Sequence, residues 1–141
     1  RQPMPWADEY RCKPVIGSVN AADEAKYPYG TIESQLANSN SIINYVKKAN
    51  LVRNQNIEIA RGIPSLVYSN ERDYFAVTKK TYNDSSVYIA MNLSSNKSFT
   101  YDYSEIGTQV VGQLVVDNNN YIKKVNDTEI EIPPYGIAII R

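Results

Sequence analysis

No histidine occurs among the 141 residues of this sequence. That absence excludes serine–histidine–aspartate and cysteine–histidine catalysis, histidine-ligated zinc and histidine pH switching within the chain. A single cysteine, Cys12, leaves no internal disulfide and no cysteine-built metal site. With no histidine to activate it, that thiol reads as a small inert side chain. An excess of either charge is also missing: 15 lysines and arginines balance 15 aspartates and glutamates. No strong field therefore recruits nucleic acid or an anionic membrane. No apolar run approaches the ~20 residues that span a bilayer, and no signal peptide is recognisable. The chain opens on Arg1 rather than methionine. It reads as a piece of something longer, so the missing signal peptide says nothing about a parent. There is no internal repeat and no phosphate-binding glycine loop.

What is present is tyrosine, twelve against two phenylalanines. Tyrosine has an apolar body and a polar tip, which suits half-buried strands and also sugar stacking. Tyr74, Tyr88, Tyr101 and Tyr103 are the candidates for a sugar platform, with packing between sheets as the competing reading.

The stretch from Asn40 to Gly62 divides the chain. Asn40 or Ser41 can cap a helix start by accepting an orphan backbone N–H. Ile42, Tyr45, Val46, Ala49 and Val52 then recur at helical spacing as one apolar stripe. Lys47, Lys48 and Arg53 lie toward its C-terminal half, where cations suit the helix dipole. A lone helix of this length is marginal in water, so the stripe needs a large partner surface. Residues 1–37 offer little: Pro3, Pro5, Pro14, Gly17, Pro28 and Gly30 punctuate them without a sustained period, and they read as loop. From Ile63 onward alternation with period two takes over. Val87, Ile89, Met91 and Leu93 share one strand face, and Tyr88, Ala90 and Asn92 share the other. Asn126-Asp127 turns a hairpin whose second arm points Ile130 and Ile132 inward. The reading gives about eight short strands at turn spacings of roughly 8–12 residues. With no helical pattern between the strands, the expected fold is mainly β: an antiparallel β-sandwich of Greek-key type, preceded by a long loop and one helix.

Two acidic pairs, Asp8-Glu9 and Asp23-Glu24, fall in the opening loop. Glycosidases use two carboxylates, but pairs adjacent in sequence within polar loops read as solvated charges or caps. Asn83-Asp84-Ser85, Asn92-Leu93-Ser94, Asn96-Lys97-Ser98 and Asn126-Asp127-Thr128 match the glycosylation sequon, and turn chemistry accounts for them equally well.

Three stretches, in order, resemble the C-terminal part of the α-amylase family, glycoside hydrolase family 13. Arg1-Gln2-Pro3-Met4-Pro5-Trp6 is similar to that family's Arg-x-Pro-Met-x-Trp, in a loop late in the catalytic barrel. Ser41-Ile42-Ile43-Asn44-Tyr45 through Val52-Arg53 is similar to its last barrel helix. Ile57-Glu58-Ile59-Ala60-Arg61-Gly62 is similar to the short link that follows, and Pro134-Tyr135-Gly136 with the apolar strand after it resembles the ending of the all-β domain C.

The resemblance implies that residues 1–56 are the C-terminal end of a (β/α)₈ barrel and residues 57–141 an all-β C-terminal domain. Such a barrel takes about 250 residues, so the helix stripe finds its partner in the missing barrel. The resemblance places the catalytic carboxylates on earlier barrel strands, so no catalytic residue is expected in this chain. The parent would act on the α-glucosidic bonds of α-glucans or maltooligosaccharides with retention. It would be of α-amylase, oligo-1,6-glucosidase or α-glucosidase type. Arg1 and Trp6 are the substrate-binding candidates, against readings as a structural ion pair and a loop anchor. No metal or cofactor is expected in this chain, and any calcium would sit in the missing part of the parent. The expected partners are the missing barrel, the glucan substrate and, through the bare helix face, a second copy of the chain. A parent degrading polymers would be extracellular or at the cell surface, and one acting on imported oligosaccharides cytoplasmic. The alternative function is a carbohydrate-binding β-sandwich module that uses surface tyrosines.

Overall fold

The computed structural model describes residues 29–141. The chain divides into two compact units, Arg1–Val46 and Lys47–Arg141.

In the first unit, helix α1 (Ile32–Ala37) is capped by Thr31, whose hydroxyl accepts the Ser34 N–H at 3.2 Å. Ser41 caps the next helix, α2 (Ile42–Gln55), accepting the Asn44 N–H on its hydroxyl at 3.3 Å. Asn44 in turn donates its side-chain amide to the carbonyls of Gln35, Leu36 and Asn38, at 3.1, 3.1 and 2.8 Å. Those carbonyls lie at the C-terminal end of α1, where those of Gln35 and Asn38 also accept the Asn38 and Ser41 N–H groups. The Ser-x-x-Asn spacing at Ser41 and Asn44 thus ties the end of one helix to the start of the next.

In the second unit, α3 (Ile57–Arg61) follows α2 at once. Asn56 sits between them and donates its amide to the Val52 carbonyl at 2.8 Å, closing the end of α2. Eight strands follow: β1 (Ile63–Asn70), β2 (Phe75–Tyr82), β3 (Ser85–Asn92), β4 (Phe99–Asp102), β5 (Val110–Leu114), β6 (Lys123–Lys124), β7 (Glu129–Ile132) and β8 (Ile137–Ile140). They form a five-stranded sheet of order β1-β2-β3-β8-β5 and a three-stranded sheet of order β4-β7-β6. Every pairing is antiparallel. The architecture is the expected β-sandwich, with no closed barrel among the described residues.

The core lies between the sheets and holds Phe75, Val77, Ala90, Tyr103, Ile130, Ile132, Ala138 and Ile140. Phe75 stacks on Phe99 with ring centroids 4.0 Å apart. Strand β3 is buried on both faces, because Ala90 faces this core while Val87, on the opposite face, is also fully buried. That opposite face of the large sheet meets α3, where Lys80 donates to the Ile59 carbonyl at 2.9 Å. Gly62 is required there. A Cβ on it would stand 2.4 Å from the Glu58 carbonyl oxygen and 3.1 Å from the Thr81 backbone, so only glycine lets α3 turn into β1 this close to β2.

Two elements depart from the sequence reading. Helix α1 lies inside the stretch read as loop, and α3 within the stretch read as a link. At six and five residues neither is long enough to show a helical period, and both are held by side-chain and packing contacts rather than by propensity.

Candidate functional site

The described residues hold one buried charge cluster. Glu58 of α3 is 2% exposed, yet carries a carboxylate. Arg141 donates to both of its oxygens from one guanidinium nitrogen, at 2.9 and 3.0 Å. The Ser85 hydroxyl, at the start of β3, donates to the same carboxylate. Burial alone pushes the Glu58 carboxyl up, but the Ser85 hydroxyl, its own backbone N–H and the Arg141 charge outweigh it and hold the group below its ordinary value. Both carboxylate oxygens are hydrogen-bonded, so the cluster is a structural tie between α3 and the sheet. Sequence reasoning missed it, since Glu58 alternates with Ile57 and Ile59 like a solvent-facing position and Arg141 lies 83 residues away.

A second feature is apolar surface without a partner. Strand β1 is the outer edge of the large sheet, and Ile63 (78% exposed) and Leu66 (66%) stand in the open with Val67. Helix α2 buries no residue completely, and Ile42, Val46 and Leu51 are exposed along it.

The four tyrosines named above divide. Tyr103 is buried in the core and donates its hydroxyl to the Asp127 carbonyl at 3.0 Å. Tyr101 packs at 5.2 Å from Phe75, and burial, then the nearby Glu105 charge, push its hydroxyl above the ordinary value. Tyr88 is half-buried beneath the Lys79 ammonium, 5.6 Å from its ring centre. Tyr74 alone of the four is exposed, on a backbone with φ of +53°. They form no common platform.

A groove of about 380 Å³ opens where the sandwich is left unclosed, between β5 and β6. Its lining includes Tyr103, Val110, Ile122 and Ile130 together with the polar Thr108, Gln109, Gln113, Lys124 and Asp127. Among the described residues no three histidine, cysteine, aspartate or glutamate side chains converge to hold a metal ion. Arg1, Trp6, Cys12 and the acidic pairs Asp8-Glu9 and Asp23-Glu24 lie outside the described residues. Of the sequon asparagines, Asn92 is buried and donates to three carbonyls, while Asn83, Asn96 and Asn126 are exposed.

No protein-family model matches the chain, and no curated protein matches its sequence. Solved structures do. The Eubacterium rectale protein Amy13B superposes with a TM-score of 0.81 at 26% identity, over 97% of this chain and 26% of that one. The isomaltulose synthase SmuA from Protaminobacter rubrum matches with a TM-score of 0.57 at 16% identity, over 78% of this chain and 19% of its own. The isomaltulose synthase from Klebsiella sp. LX3 matches at 0.62 and 13% identity, over 99% of this chain and 24% of its own. The two synthases speak to the fold alone. This chain spans about a quarter or less of the length of each neighbour. The likeness runs over nearly the whole chain and supports it as a C-terminal domain of the α-amylase family, glycoside hydrolase family 13.

Proposed function

We propose that this chain is the C-terminal segment of an α-amylase-type glycoside hydrolase that acts on α-glucans or maltooligosaccharides with retention. Its β domain has a structural part, supporting the last helix of a catalytic barrel whose other elements lie outside this chain. What carries the reading is exposed apolar side chains, Ile63, Leu66 and Val67 on the edge strand β1 and, separately, Ile42 and Val46 on α2. Surface of this kind on a small domain marks a contact with another body. The fully bonded state of Glu58 supports a structural rather than chemical role for the only buried carboxylate among the described residues.

The test joins the chain to the residues that precede it in its parent. The expected outcome is release of reducing sugar from maltooligosaccharides by the joined protein and none by the 141-residue chain alone. Turnover by the chain alone, or none by the joined protein on any α-glucoside, overturns the proposal.

A further inference from the structure

The two sheets of the sandwich are unequal, five strands against three. Strand β6, at the edge of the smaller sheet, is only two residues long, and on the inner face of β5 Val110 is half-buried while Gln113 is exposed. In β5, Val110 and Gln113 pair with Ile140 and Ala138 of β8, both core residues. Alternation therefore aims Val110 and Gln113 into the space between the sheets. A flank left open here exposes apolar core edge unless something occupies it. The lining is not all apolar, however. Gln113 accepts the Ile122 N–H on its side-chain oxygen at 3.2 Å, which fixes the side chain and turns its NH₂ toward other acceptors. Gln109 and Thr108 add an amide and a hydroxyl beside it. Lys124 and Asp127 pair at 2.8 Å, so the one cation and one anion of the lining neutralise each other.

Such a lining selects a class of ligand. It offers the accessible edges of half-buried Val110 and Ile122, neutral groups that both donate and accept, and no net charge. A pyranose ring matches it, with an apolar C–H face and a rim of hydroxyls. A volume of about 380 Å³ is at the small end of ligand sites, which suits one or two sugar rings rather than a long chain. We propose that this flank binds a glucosyl unit of an α-glucan, with the ring on the accessible edges of Val110 and Ile122 and its hydroxyls bonded to Gln109 and Gln113. The choice of glucose rests on the reading of the parent given above, whereas the site itself rests on the open flank.

The test is a titration of the 141-residue chain with maltotriose, followed by backbone amide NMR. The expected result is saturable shifts centred on Gln109, Val110, Gln113, Ile122 and Lys124, with a dissociation constant on the order of 1 mM. Gln109→Ala and Gln113→Ala, both at exposed positions, should each weaken binding about tenfold. Tyr74→Ala should leave it unchanged. Shifts centred on Tyr74 and Leu93, no shifts at about ten times that concentration, or undiminished binding in both glutamine variants would each overturn the site. Absence of shifts from a chain whose joined parent does cleave maltooligosaccharides rejects the groove alone. Groove binding with no such cleavage keeps the groove and rejects the enzyme.

Discussion

Breaking the Glu58–Arg141 tie from either side should have unequal consequences, and the inequality follows from where each partner sits. The Glu58 side chain is 3% exposed and that of Arg141 is 44% exposed. Arg141→Met strands a carboxylate in the interior with only the Ser85 hydroxyl and a backbone N–H to hold it. Removing one partner of a wholly buried pair costs about 3–5 kcal/mol, and the half-exposed guanidinium moves this case to about 2–3. Glu58→Gln keeps the shape and frees a cation that can rehydrate, so it should cost only about 1 kcal/mol. The double variant should be more stable than Arg141→Met alone, because the uncompensated charge is gone. Urea denaturation followed by far-ultraviolet circular dichroism measures all three. Glu58→Gln costing as much as Arg141→Met would refute the reasoning. The pH dependence supplies a second check. The folded Glu58 pKa lies below the unfolded one, so the unfolded chain binds the proton first on acidification. The stability that the carboxylate contributes is therefore complete above its unfolded value of about 4.3 and is lost as pH falls toward the lower folded value. The gap between the native chain and Glu58→Gln should accordingly narrow below about pH 4.3, and a gap that widened there would refute the sign.

Two further substitutions probe the scaffold. Asn92 is buried and donates to the carbonyls of Lys97, Ile132 and Pro133, at 2.8, 2.9 and 3.1 Å, while accepting the Ser94 N–H at 3.0 Å. Asn92→Asp, which sets an acceptor against three acceptors, should cost more than Asn92→Ala, itself about 3 kcal/mol, in the same urea assay. Gly62→Ala must move either α3 or β2 and should cost about 1–3 kcal/mol, and a melting temperature equal to that of the native chain would contradict the close approach described.

The sheet was legible because its strands alternate. Tyr88, Ala90 and Asn92 on one side of β3 and Val87, Ile89 and Met91 on the other are visible in the residues alone, and the β6–β7 hairpin follows from Asn126-Asp127. Helix α2 was legible for the same reason, by its stripe. Helices α1 and α3 were not, since each is shorter than two periods and is specified by caps such as Thr31 and by docking on β2 and β3. The tie and the groove were not legible either. Glu58 meets Arg141, and Gln113 meets Ile122, only once the register of β8 between β3 and β5 is known. Nothing local distinguishes a glutamate or glutamine that will face inward from one that faces water. Arg1 and Trp6, the residues singled out for sugar contact, lie outside the described part of the chain.

Strand β8, the latest in sequence, lies inside the large sheet, between β3 and β5, rather than at its edge. During translation β1, β2 and β3 can assemble as they emerge, but β5 must wait, with its pairing groups unmet, until Ile137–Ile140 clear the ribosome. The interval in which two strand edges stand open is the moment when a nascent chain is exposed to mispairing. Deleting Ile137–Ile140 would therefore remove the keystone of the sheet, since both β3 and β5 pair with it.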